Sequence, residues 1–247
     1  MINEKIKLAE EYKNQIDLLK PFEGYNLQQL RDYFRIGLTY SSNAIEGNTL
    51  TESETKVVLE DGLTIGGKPL RDTLEAVGHA RSYDYILKLR HSRSLTIEDI
   101  KEMHRIFYSL IDNEKAGVYR TIPVIITGSK YPVTFPGDIE QEMKELDRWM
   151  GIGNTGIHPI VFAAQLHKRF VFTHPFIDGN GRIARLAMNT ALIQKGYLPT
   201  IIPAILRSEY FALLERAHAD DRGFVEFIIE RVIETEKDIL RLFNREI

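Results

Sequence analysis

The chain has 247 residues with a formal net charge of -3, 43% hydrophobic and 27% charged residues, which suits one large domain or two small ones around a real core. That charge balance excludes the strong basic excess of a dedicated nucleic-acid binder, and the absence of cysteine excludes disulfides, thiolate metal sites and cysteine nucleophiles. No apolar run approaches the roughly 20 residues that span a bilayer, and the charged N-terminal segment carries no signal-peptide core, so the expectation is a soluble, cytoplasmic protein with no nucleic acid and no membrane among its partners.

In chain order, Ile2, Ile6, Ala9, Ile16 and Leu19 fall on one face of a first helix that stops at Pro21. Thr51 with Glu54, and Thr96 with Asp99, have the spacing of capping boxes, the second with Asp in place of the usual Glu or Gln. A helix through Leu74, Val77 and either Ile86 or Leu87 fills the interval between them, and Ile97, Ile100, Met103, Phe107 and Leu110 give the next one a core stripe. Asp138 is placed to cap a helix through Met143, Leu146 and Trp149, which the glycines of residues 151–156 are expected to break. Pro159 suits a helix first turn, followed by Phe162, Ala163, Leu166 and Phe170 as a core face. A helix over 181–195 with Gly196 as its stop, then helices over 209–219 and 224–243, complete an all-α reading. Residues 62–69 have the Gly-x-x-x-x-Gly-Lys spacing of a phosphate loop, but Pro69 stands where the Mg²⁺-binding hydroxyl belongs, so an inter-helix loop is expected.

One stretch departs from the helical pattern. The run Val124, Ile125, Ile126, Thr127 meets Gly128-Ser129 and then Tyr131-Pro132-Val133, which reads as a β-hairpin. Isolated hairpins are marginal in water, so this one must pack on helices or pair with another segment.

The chemistry concentrates in His174-Pro175-Phe176-Ile177-Asp178-Gly179-Asn180-Gly181-Arg182-Ile183-Ala184-Arg185. Pro175 stops the preceding helix, and Gly179, Asn180 and Gly181 allow successive backbone N–H groups to face one concavity. A helix then begins, adding its unpaired amides and the positive end of its dipole, which makes a phosphate-type anion site. Arg182 and Arg185 share the face of that first turn, where cations are disfavoured, and so point to a polyanionic ligand. Asp178 suits Mg²⁺, which takes one or two carboxylates plus phosphate oxygens, and His174 has the pKa range of a general base. Each piece alone has a plain structural reading; their conjunction within twelve residues does not.

The string HPFIDGNGRIAR resembles, at every defined position, the Fic-family signature HPFx(D/E)GNGRxxR. The resemblance implies an all-α, Fic-type helical core in residues 96–247, a small β-hairpin flap, and transfer of AMP from ATP to a protein Ser, Thr or Tyr hydroxyl. It casts His174 as the base, Asp178 as the Mg²⁺ ligand and Gly179, Asn180 and Gly181 as the anion hole, with Arg182 and Arg185 on the β- and γ-phosphates. It further implies that the flap over 120–136 holds the target protein by strand-like pairing, with Val124, Ile125, Ile126 and Thr127 bordering the nucleotide. Tyr210 and Phe211 resemble an aromatic pair flanking the adenine, with His218 further along the same helix; core packing is the competing reading for Phe211 and His218.

Upstream, Ser42-Asn43-Ala44-Ile45-Glu46-Gly47 resembles the family's inhibitory pattern (S/T)xxxE(G/N), within an N-terminal helical region of residues 1–95. By that resemblance Glu46 pairs with Arg185 and displaces the γ-phosphate, leaving ATP bound with its α-phosphate wrongly presented, and a homodimer is the usual assembly. Three other readings stand beside AMP transfer: removal of AMP from a modified protein, transfer from another phosphate-bearing donor, and a binding module without turnover.

Overall fold

A computed structural model describes residues 2–91 and 94–243, of which Asn154 is described in its backbone alone. Among the described residues ten α-helices follow one another: α1 (Ile2–Leu18), α2 (Gly24–Ile45), α3 (Glu52–Glu60), α4 (Leu70–Lys88), α5 (Ile97–Tyr108), α6 (Ile139–Gly156), α7 (Pro159–Thr173), α8 (Asn180–Gln194), α9 (Arg207–Arg216) and α10 (Arg222–Phe243). None of them is long and apolar enough to cross a membrane.

Both capping boxes form, with the Thr51 and Thr96 side chains accepting from the Glu54 and Asp99 amides and the Glu54 and Asp99 carboxylates accepting from the cap amides. The region 62–69 is a loop between α3 and α4. Two helix assignments change. α2, whose buried face includes Leu30, Phe34 and Leu38, was not singled out by the sequence pattern. α6 runs through the glycines expected to break it, and Gly153 explains why: a Cβ there would lie 3.1 Å from the Phe162 ring, so α7 packs directly against α6 backbone. Asp138 closes a short 3₁₀ turn ahead of α6 and makes no side-chain cap.

α7 and α8 pack along each other at the centre, α4 lies on α5, and α1 lies on α10. α8 is buried nearly all round, from Arg182 to Ile193, while its first turn opens through Gly181 onto a cleft. One continuous apolar cluster runs from Ala9 through Phe107, Phe176 and Ile183 to Leu240, and it joins the N-terminal helices to those carrying the motif.

Three buried histidines brace the surroundings of α8. His104 stacks on Phe176 at 3.7 Å, accepts from the Gly117 amide through Nδ1 and contacts the Asp178 carbonyl through Nε2 at 3.1 Å. His79 Nδ1 meets the Thr39 hydroxyl, and His167 Nε2 meets the Tyr210 hydroxyl. Burial pushes the His79 and His104 pKa values down to about 3 and about 4, and lowers His167 well below its ordinary value. In α10, burial raises the Glu236 carboxyl, which has no hydrogen-bond partner on either oxygen, to about 8.

Two outcomes are expected. Gly78 lets α4 approach α5, since a Cβ there would stand 2.2 Å from the Phe107 carbonyl oxygen; Gly78→Ala should lower the unfolding free energy by about 1–3 kcal/mol in urea titrations. The depressed histidines bind protons in the unfolded chain below about pH 6.5 and not in the folded one, so they withdraw stability as pH falls from 7 to 5. That loss is on the order of 2 kcal/mol per histidine. Glu236, protonated in the folded state between about 4.5 and 8, acts in the opposite sense and offsets roughly one of them. Urea unfolding at the two pH values should show a net decrease; equal or greater stability at pH 5 would contradict the burial-driven shifts.

Candidate active site

α2 ends in a Schellman turn: the Gly47 amide bonds the Ala44 carbonyl and the Asn48 amide bonds the Asn43 carbonyl. Gly47 takes the required positive φ of 97°, so the Glu46-Gly47 pair stops the helix and leaves the Glu46 side chain projecting from its end. That end faces the start of α8. Glu46 Oε1 accepts from Arg185 Nη2 at 2.8 Å, and a Cβ at Gly181 would stand 2.2 Å from the same oxygen. The carboxylate therefore sits on the helix N-terminus, where the amides and dipole favour an anion.

Arg185 is buried and fully engaged. Its Nε donates to the Ser42 hydroxyl at 2.9 Å, its Nη2 to the Ser42 carbonyl at 2.8 Å, and its Nη1 to the Tyr210 hydroxyl at 3.2 Å. Ser42, one helical turn before Glu46, is thus placed to hold the same guanidinium from α2. Arg182 points the other way. It pairs with Glu75 of α4 at 3.0 Å and with Asp178 at 3.2 Å, and its guanidinium lies over the Phe107 ring.

Around the loop, Gly179 at φ 80° packs against Phe107, which a Cβ would meet at 2.7 Å. Asn180 closes the loop on itself, its side chain accepting from the Phe176 amide and donating to the Phe176 carbonyl. What Asn180 presents to an anion is accordingly its backbone amide. Asp178 is half-exposed, with Oδ1 accepting from the Gly179 amide and Oδ2 from Arg71.

His174 ends α7 in the left-handed region, φ 50° and ψ 57°, the only non-glycine residue described with a positive φ. It lines the cleft described below. Burial, aided by the nearby Arg120 charge, takes its pKa down to about 4, and its buried Nδ1 has no hydrogen-bond partner. At neutral pH the ring is uncharged and able to accept a proton.

The expected β-hairpin is absent: residues 120–135 form no ladder. Arg120 explains the difference. Its buried guanidinium lies between the two arms and donates to the Ile122 and Thr134 carbonyls and to the His174 carbonyl, so carbonyls that a ladder would use are taken by a side chain. The tip is a turn closed by the Ser129 amide on the Ile126 carbonyl, with Gly128 at φ 91°. From α9, Glu215 accepts from the Ser129 hydroxyl and the Lys130 amide. Tyr131, His218 and Phe172 stack in series at 3.9 and 3.7 Å.

Between this flap, α7 and α9 opens a cleft of about 560 Å³, a size that suits a nucleotide. Of the sequence-predicted residues it brings together His174, Gly181, Glu46, Ile126, Thr127, Tyr210, Phe211 and His218. Val124 and Ile125 do not reach it; Ile125 is 96% exposed. Tyr210 contributes wall, but its hydroxyl turns inward to Arg185 and His167. The sequence reading missed Arg71, Glu75, Arg120, His167 and Glu215, whose positions 43 to 107 residues from their partners in the chain leave no local signal.

Residues 94–192 match the Fic/DOC family. The protein is 39% identical over 194 residues to the protein adenylyltransferase Fic of Drosophila persimilis, covering 77% of this chain and 38% of that one. It is 38% identical over 193 residues to the protein of the same name from Nematostella vectensis, covering 76% and 45%. The chain thus spans less than half the length of these curated relatives. A variant of Fic-1 from C. elegans superposes with a TM-score of 0.86 at 30% identity, covering 98% of this chain and 72% of that one. A Fic-domain signaling protein from Bacteroides thetaiotaomicron superposes equally well, at 29% identity over 93% of this chain and 95% of that one. With the contiguous motif, the buried α8 start and these matches in agreement, the chain belongs to the Fic/DOC family.

Proposed function

We propose that this protein transfers AMP from ATP to a Ser, Thr or Tyr hydroxyl of a protein, itself included, and that Glu46 restrains the transfer. The observation that carries the proposal is the Glu46 carboxylate lying on the N-terminus of α8 in an ion pair with Arg185, beside a nucleotide-sized cleft with an uncharged histidine at its rim. Relatives named protein adenylyltransferase Fic support the reading.

In this proposal residues 96–247 carry the transfer and residues 1–95 the restraint. The adenosine lies in the cleft between Ile126, Thr127 and Phe211, and the α-phosphate over the Gly179–Gly181 amides. The target hydroxyl, presented along 120–136, attacks the α-phosphate in line; pyrophosphate leaves, and His174 takes the hydroxyl proton. Arg185, released from Glu46, meets the γ-phosphate. Preorganised amides and guanidinium groups offset the negative charge that builds up, which is usually the largest catalytic contribution. While Glu46 stays in place, its charge repels the γ-phosphate and holds the α-phosphate out of line.

The donor set suits Mg²⁺ held mainly by phosphates. Asp178 offers a half-exposed carboxylate at the loop, and no group of three or more acidic or histidine side chains that could build an all-protein cage occurs among the described residues. When bound there the metal would neutralise phosphate charge. Removal of AMP from a modified protein is the second reading. Glu46 lines the same cleft as His174, where its carboxylate can hold a water against the phosphodiester.

Incubation with α-labelled ATP and Mg²⁺ tests both. Glu46→Gly should raise protein labelling on the order of tenfold or more, equivalent to at least about 1.4 kcal/mol. Adding His174→Ala should remove about 10²–10⁴ of that rate. Equal labelling of wild type and Glu46→Gly would sink the restraint, and release of AMP from a pre-modified target without any labelling would favour removal.

A further inference from the structure

Arg71 stands on the carboxylate assigned above to the metal. It is the second residue of α4 and lies 107 positions before Asp178, yet its Nη2 donates to Asp178 Oδ2 at 2.5 Å while its Nε donates to Glu75 Oε1 at 3.0 Å. The two oxygens of Asp178 are therefore held differently. Oδ1 is taken from within the motif, by the Gly179 amide at 2.6 Å and the buried Arg182 at 3.2 Å. Oδ2 is taken by Arg71, whose side chain is 53% exposed.

A hard divalent cation needs a carboxylate oxygen free of competing donors. Oδ1 is bonded to groups that the loop and the core immobilise. Oδ2 is covered by a long, solvent-exposed arm, and a guanidinium matches a carboxylate well enough to act as a stand-in cation. Arg71 is also badly placed for its own helix, since a cation in the first turn opposes the dipole. Its position is maintained by the two acidic partners rather than by α4. Glu75 does not depend on Arg71 in return. It is buried and accepts from Arg182 Nη1 and from Asn48 Nδ2, so it stays fixed if Arg71 swings away.

We infer that Arg71 is a cationic placeholder on Asp178 Oδ2, displaced when Mg²⁺ enters with the nucleotide, and so sets how strongly nucleotide binding depends on the metal. This rests on the reading of Asp178 as the metal carboxylate. Arg71 is a positioning residue: it touches neither the hydroxyl nor the α-phosphate. Its effect differs from that of Glu46, which acts at the γ-phosphate end through Arg185; the two contacts restrain different parts of one site.

The test is the affinity of the full chain for ADP by titration calorimetry, in EDTA and in saturating Mg²⁺, for wild type, Arg71→Gln, Arg71→Lys and Asp178→Asn. Thermal unfolding of each variant checks that it is folded. With Mg²⁺, ADP should bind Arg71→Gln several-fold tighter than wild type, while in EDTA its affinity is unchanged or weaker. Arg71→Lys, which keeps the charge, should stay near wild type, and Asp178→Asn should lose most of the Mg²⁺-dependent gain. Unchanged affinity of Arg71→Gln in Mg²⁺ overturns the placeholder while leaving the metal site intact. Weaker affinity there overturns it too and makes Arg71 a phosphate ligand. If Asp178→Asn keeps the full Mg²⁺ gain, the metal assignment fails and the placeholder with it.

Discussion

The guanidinium of Arg185 sits in the dry centre of the molecule, and a buried cation left without compensation costs several kcal/mol. The fold answers with acceptors from three directions: the Ser42 hydroxyl and carbonyl, the Glu46 carboxylate and the Tyr210 hydroxyl. These partners come from α2 and α9, so satisfying one charge ties both helices to the start of α8. Under the proposed function the same charge is a phosphate contact. A ligand phosphate and Glu46 are then alternative solutions to one electrostatic problem, and the resting structure uses the internal one.

The histidines around α8 add no positive charge to these arginines at neutral pH. Four histidines lie within its reach or at its rim, and burial lowers each, with His79, His104 and His167 pushed further by Arg182 or Arg185. His174 shares that environment, helped by Arg120 rather than by the motif arginines. The effect is an imidazole that burial keeps uncharged at neutral pH against the opposing pull of the Glu46 and Asp178 carboxylates. Asp178 and Glu75 bind Arg182 whereas Glu46 binds Arg185, so the two motif arginines, three residues apart in sequence, are held by separate acidic groups.

Much of this was legible in the sequence because the chemistry is contiguous. Twelve residues contain the helix stop at Pro175, the left-handed positions, the anion-binding amides and both arginines. The capping boxes at Thr51 and Thr96 were legible for the same reason, since each needs only a span of four residues. Two local readings failed where tertiary packing overrode them. Glycines that would end an exposed helix are retained inside α6 because Phe162 packs on Gly153, and a β-branched run that reads as a hairpin is spread by the Arg120 guanidinium between its arms.

By itself the sequence determined the helical class and the loop suited to an anion, because these follow from residue type and spacing within a turn or two, while the Ser42-to-Glu46 element was legible only through its resemblance to the family's inhibitory pattern. Only the tertiary structure decided which charges meet. Arg182 turning inward to Glu75, Glu215 holding the flap tip and Arg71 lying on Asp178 are contacts between residues 85 to 107 positions apart. The physical reason is that local propensity sets the direction of a helix, whereas the partner of a side chain is set by which faces the shared core brings together.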